Sequence, residues 1–325
     1  MSVPVISLYK IYKNPFSYED FYKADFLKAK ILEVSSKWDE ADYIRGCLDS
    51  NYLKIDIAHV NRLVGLSGSD VQEDSSSGQW TLSIIDAFCA YLWAYSYYAL
   101  VSFDYISLSQ GSYTVNPLSQ LPSGDMLYGA AFLKKFADEA ILLGKANKNW
   151  AYYPGTNAFL PNPFICEINR EFYITKVNGV YAFALAFVLC HEFKHYLYNE
   201  HKSDCGDEEN KKKEFDADLQ ALSTYTQLGD DEKKTYAAGI ATVMSVIDKL
   251  DREAEANNED TDNGHPPAFE RIENALNGLN LDPNDILYEY AGFLFENSKK
   301  QDFLNPIKSD SKFASKYEYF KAMIL

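Results

Sequence analysis

The sequence predicts an α+β protein, mostly helical, with a small β-sheet beside the helix that carries its most informative motif. Three observations lead there. Long stretches place apolar residues at helical spacing. Residues 164–168 and 171–177 carry Phe, Ile, Tyr and Val in rough alternation, as two short strands would, with Asn169-Arg170 at their turn. Directly after them, His191-Glu192-Phe193-Lys194-His195 falls inside an apolar helical run.

Taken in order, residues 24–37 and 54–64 read as amphipathic helices, and Gly65 is a stop for the second. A Ser/Gly/Asp cluster over 67–78 reads as a loop before a long apolar helix at 79–106. The aromatic stripe Phe88, Tyr91, Trp93, Tyr95, Tyr97 and Tyr98 along that helix reads as core packing. Residues 111–124, rich in Ser, Pro and Gly, separate it from a helix at 125–145. Asn178-Gly179 closes the second strand, and the motif helix is expected to run from about 180 to 201. A charged loop, 202–210, leads to a helix that begins within 211–214 and ends at 228. A further helix, 233–257, precedes a solvated acidic stretch at 258–264, and 281–325 is helical or mixed. No internal repeat is present.

Charge and cysteine usage narrow the functional classes. With Lys+Arg 31 against Asp+Glu 47, the 325-residue chain carries a net charge of -16, and its average surface repels phosphates and anionic lipid headgroups. No nucleic acid partner is expected. The five cysteines, Cys47, Cys89, Cys166, Cys190 and Cys205, are odd in number and lack C-x-x-C spacing, so they read as reduced thiols. Residues 1–13 show no secretory signal, which makes the cytoplasm the expected location. Residues 87–103 are uncharged over 17 positions, yet they are Ala/Tyr/Ser-rich and slightly short for a hydrocarbon core of about 30 Å. No membrane partner is expected, and a membrane-embedded form using that segment is the rival reading.

The chemistry centres on His191 and His195. On a helix, positions four apart are rotated by about 40° and separated by about 6 Å, so both imidazoles project from one face toward a single ion. Glu192 sits about 100° around from His191, beside the attacking water instead of on the metal, where a general base is needed. The H-E-x-x-H spacing points to zinc. By itself the pentapeptide also fits a solvated helix face.

A catalytic zinc takes three protein ligands, and two residues compete for the third place. Glu214 lies 19 positions beyond His195, in Glu214-Phe215-Asp216-Ala217-Asp218 at the head of the next helix. Asp218, one turn on, is placed to accept the outer N–H of a ligating imidazole. Read alone, this pentapeptide is an acidic first turn favoured by the helix dipole. His201 is the rival. It requires a sharp turn where the chain has Tyr198, and on a continued helix it lies about 9 Å past His195 along the axis. Glu214 is the preferred ligand. Further on, His265-Pro266-Pro267 and Arg271 form a rigid turn leading into a helix, and either His265 or Arg271 could donate to an oxyanion. The ordinary alternative is Pro in a first helical turn with Arg271 in a surface ion pair. His59 lies far upstream and reads as structural.

The ordered set His191-Glu192-x-x-His195, Glu214-x-x-Ala217-Asp218 and His265-Pro266-Pro267-x-x-x-Arg271 resembles the gluzincin metalloproteases, particularly the HtpX-like group. The run 125–145, Trp150 and Leu160-Pro161-Asn162-Pro163 is similar to the phage-exclusion protease Lit and its relatives. The resemblance implies a zincin-like fold whose edge strand aligns an extended substrate. It also implies a zinc-dependent endopeptidase acting on a protein substrate, a translation elongation factor in Lit-like enzymes, with a phage-derived activator. The chain then divides into a helical region at 1–75, a peptidase domain at 76–280 and a helical region at 281–325. A non-catalytic binding protein is the alternative from another class, with His201 or Asp204 closing a structural zinc site.

Overall fold

The computed structural model describes residues 45–46, 49, 53–58, 69–74, 76–109, 124–144, 168–197, 207–223, 230–257 and 265–299. Three strands, β1 (Leu53–Ala58), β2 (Ser69–Glu73) and β3 (Trp80–Ile85), form one sheet in the order β1-β3-β2. β3 runs parallel to β1, pairing Trp80 with Leu53, and antiparallel to β2, pairing Trp80 with Glu73. Helices follow: α1 (Asp86–Ser109), α2 (Gly124–Phe136) with a π-helical extension (Ala137–Leu142), α3 (Ile168–Leu197), α4 (Asp207–Ser223), α5 (Asp230–Ala256), α6 (Ala268–Gly278) and α7 (Ile286–Lys299). The mostly helical α+β class is therefore what the chain adopts.

The sheet, however, comes from other residues than expected. Residues 171–177 belong to α3, not to a strand. Their buried side chains Tyr173 and Val177 continue through Val180, Tyr181 and Ala184, a helical stripe that local alternation concealed. Asn178-Gly179 does not interrupt this helix. A Cβ at Gly179 would meet Thr235 Cγ2 of α5 at 3.6 Å, so the position lies within helix–helix contact. The expected helix at 54–64 is strand β1 over its first residues, and the expected loop at 67–78 contains β2.

β3 and α1 adjoin with only Asp86 between their apolar stretches, which explains why 79–106 read as a single helix. The boundary lies at residue 86. Before it Trp80, Leu82 and Ile84 are buried while Thr81 and Ser83 are half-buried, the period of two of a strand. β2 reaches β3 through a tight turn. Asp74 accepts hydrogen bonds from Ser76 N, Ser76 Oγ and Ser77 Oγ at 2.9, 2.7 and 2.8 Å, and Gly78 takes φ 68°, a conformation suited to glycine.

α1 is apolar on every side because every side is covered. It packs against β3, α2 and its π-helical extension, α3, α5 and α7. Phe88, Tyr91, Trp93 and Tyr97 are buried in this core, as the stripe suggested. Among the described residues, no helix is long and apolar enough to cross a membrane. Cys89 and Cys190 are buried and form no disulfide.

α3 is the second organising element, flanked by α5, α4, α1 and the sheet. α5 approaches it very closely at Gly239. A Cβ there would lie 2.8 Å from Ala184 N and 2.9 Å from Val180 O, both backbone atoms that cannot yield. Gly239→Ala is expected to destabilise the protein by about 1–3 kcal/mol, the usual cost of overpacking, as measured by denaturant unfolding. An unchanged midpoint would show that the two helices can separate without penalty.

Candidate metal centre

The last turns of α3 carry His191 and His195 on the face that meets α4. Their Nε2 atoms are 3.1 Å apart, with ring planes at 81°. From α4, Glu214 places Oε2 3.2 Å from His191 Nε2 and Oε1 3.2 Å from His195 Nε2. α4 begins at Asp207, so Glu214 stands about two turns inside the helix and the reading of an acidic first turn does not apply. All three residues are buried.

Around this trio lies a ring of charge. Asp218 Oδ1 is 2.9 Å from His191 Nδ1. Arg271, from the first turn of α6, donates through Nε to Asp218 Oδ2 and through Nη2 to Asp218 Oδ1, each at 2.8 Å. His265 Nε2 approaches Glu214 Oε1 to 3.4 Å from a side chain that is 43% exposed. Pro266 and Pro267 connect this histidine to α6, and Pro267 O accepts from Glu270 N and Arg271 N. Glu192 is half-buried next to His191, and its charge is felt at the Arg271 guanidinium.

The electrostatics show buried carboxylates kept charged by the cationic and polar groups packed around them. Burial opposes the imidazolium of His191, yet the charge of the adjacent Glu214 carboxylate and the hydrogen bond to Asp218 raise it to about 10. Burial likewise opposes the Glu214 carboxylate, but the charge of His191 and the close approach of His191 and His195 hold it far below the ordinary range. Asp218 is also lowered, because Arg271 outweighs its burial. Glu214 Oε2 is fully buried and, although 3.2 Å from His191 Nε2, has no partner in hydrogen-bonding geometry.

These residues fit a small dication. Metal–donor bonds of about 2.0–2.1 Å make the edges of a tetrahedron about 3.3 Å long. The two imidazole nitrogens, 3.1 Å apart, are close to such an edge, and the Glu214 carboxylate spans them, with Oε2 3.2 Å from His191 Nε2 and Oε1 3.2 Å from His195 Nε2. A cation there would neutralise the buried carboxylate and occupy the lone pairs that otherwise face one another. His191, His195 and Glu214 are thus the residues that could hold a metal ion.

A family model described as Peptidase U49 matches residues 82–291, the segment from β3 to α7 that contains every one of these side chains. The chain belongs to the Peptidase U49 family. No curated protein and no solved structure matches it. Family membership makes this chain a peptidase, a hydrolase of peptide bonds, and among the described residues of this Peptidase U49 member the buried trio is a group that could bind a metal ion.

Every site residue named from the sequence and described in the structure lies in or around this cluster, except that Arg271 is drawn inward. Its side chain is 6% exposed and engaged with Asp218, whereas His265 faces the open side. His59, His201 and Asp204 lie outside the described residues. Asp251 on α5, which interacts electrostatically with both His265 and Arg271, was not among the residues singled out from the sequence. Nothing in its local pattern marks it, because only the packing of α5 against α6 brings it near.

The raised His191 value makes metal-free stability depend on pH. A folded value of about 10 against an ordinary 6.5 contributes stability that is complete below about 6.5 and is lost as pH rises toward 10. Melting temperatures of metal-free protein should fall across that window, and the same series on His191→Gln should lack this component. A wild-type curve indistinguishable from that of the variant would remove the buried imidazolium.

Proposed function

We propose that this protein is a zinc-dependent endopeptidase of gluzincin type, in which His191, His195 and Glu214 hold the metal and Glu192 is the general base. The observation that carries the reading is the convergence of two imidazole nitrogens and the Glu214 carboxylate, one of whose buried oxygens is left without a hydrogen-bond donor. The donor chemistry, two imidazoles and one carboxylate, is that of a catalytic zinc with an open position. When bound, zinc supplies Lewis acidity that polarises a scissile carbonyl and makes water acidic.

The protein's own residues carry the proton traffic. Glu192, one position after His191 and only half-buried, takes the proton of the attacking water and delivers it to the leaving amine. His265, on the open side of Glu214, donates to the oxyanion of the tetrahedral intermediate. Asp218 accepts from His191 Nδ1 and orients that ring. Because β2 and β3 pack against α3, an extended substrate that adds to the sheet edge would lie beside the motif helix. The substrate is a protein, with a translation elongation factor the first candidate by resemblance to Lit-like enzymes. A phage-derived activator and a role in phage exclusion belong to the same proposal, as does action in the cytoplasm.

Two measurements test the reading. Metal analysis of purified protein should find about one zinc per wild-type chain and none in Glu214→Ala. Glu192→Gln should keep the zinc and lose on the order of 10²–10⁴ in peptide hydrolysis. Zinc retained in Glu214→Ala would remove the third ligand, and an active Glu192→Gln protein would remove the base.

A further inference from the structure

We propose that Arg271 is a positioning residue for the metal centre: its fork claims both oxygens of Asp218 and thereby fixes the His191 tautomer that can bind a cation. The inference rests on the reading of His191, His195 and Glu214 as metal ligands. Its subject is different, namely which proton arrangement prepares His191 for that task.

A neutral imidazole carries its proton on one nitrogen and a lone pair on the other. His191 turns Nε2 toward Glu214 and His195, so only the form with hydrogen on Nδ1 presents a lone pair there. At Nδ1 two neighbours impose opposite demands. Asp218 Oδ1, at 2.9 Å, accepts and favours hydrogen on Nδ1. Arg271 Nη2, at 3.3 Å, can only donate and would favour a bare Nδ1, which moves the hydrogen to Nε2 and disables the ligand.

The distances decide the contest. Arg271 makes two 2.8 Å bonds to Asp218, one to each oxygen, in the paired geometry that a planar guanidinium forms with a carboxylate. With its protons committed there, the 3.3 Å approach to Nδ1 is a by-product of the fork. Asp218, an acceptor toward Arg271 at both oxygens, takes its remaining hydrogen from His191. A lysine at 271 would bring charge without the fork, leaving one carboxylate oxygen free to turn. Arg271 is nearly fully buried, so this role needs no contact with substrate.

The test uses the full-length chain. Zinc affinity is measured by competition with a chromophoric chelator for wild type, Arg271→Lys, Arg271→Met, Asp218→Asn and the Arg271→Met/Asp218→Asn pair. NMR on labelled histidine reads the strength of the hydrogen bond from His191 Nδ1–H in the zinc-loaded protein, where the metal takes Nε2. Arg271→Lys and Arg271→Met should each weaken zinc binding by about 10–100-fold, the usual effect of losing an outer partner, and should shift the His191 Nδ1–H proton resonance upfield as its bond to Asp218 loosens. In the Asp218→Asn background, Arg271→Met should add less than threefold. Melting temperatures that fall while zinc affinity stays within twofold of wild type would assign Arg271 a purely structural role and overturn the proposal. An equal loss with or without Asp218 would overturn it too. If Arg271→Met does not fold, the Arg271→Lys affinity and NMR results decide. Wild-type protein that binds no zinc would instead remove the endopeptidase reading on which the inference stands.

Discussion

Everything at the site depends on a carboxylate held without water. Glu214 is buried against two imidazoles, and in a region of low dielectric its charge must be met locally. His191, His195, His265 and Arg271 all approach it within 3.7 Å, so the site concentrates positive and polar groups around one anion. The helices that carry these side chains are fixed by this requirement as much as by apolar packing. An unmatched charge in such a place costs several kcal/mol.

Three separate pieces of chain meet this demand, and the surrounding architecture makes their meeting rigid. α3 is clamped between the sheet, α1 and α5, with α5 pressed onto its backbone at Gly239. Well upstream of the histidines, Tyr173 OH and Lys176 Nζ reach Asp104 of α1 at 3.1 and 2.7 Å. At the far end, Tyr196 stacks edge-on against Trp80 with ring centroids 5.1 Å apart, tying the motif helix to the first residue of the central strand. α4 and α6 pack together and deliver Glu214, Asp218 and Arg271 from the opposite side. A site built on helices pinned in this way holds its geometry without waiting for a ligand.

The residues with the most explicit chemistry were legible in the one-dimensional text. H-E-x-x-H needs only helix geometry to place two imidazoles on one face, and Glu214 with Asp218 needs only one more helix. Partners separated by long stretches of sequence were harder to judge. Arg271 looked equally suited to an oxyanion or a surface pair, because its 80-position distance from His191 hides that it lies 3.3 Å from that ring. The sheet was assigned to the wrong segment for a related reason. Residues 171–177 alternate locally, but a helical stripe extending to Ala184 outweighs seven residues of alternation. The strand at residues 80–85 went unseen because only Asp86 separates it from the most apolar helix of the chain.

By itself the sequence determined the α+β class and singled out His191, His195 and Glu214, the residues that the fold brings together as a possible metal-binding group. These follow from composition and from spacings of a few residues, where helix geometry leaves one answer. The tertiary structure alone decided which segments form the sheet, and that Arg271 turns inward to Asp218 while His265 faces outward. Those outcomes depend on which surfaces become buried together, a property of chain segments far apart in sequence that no local pattern encodes.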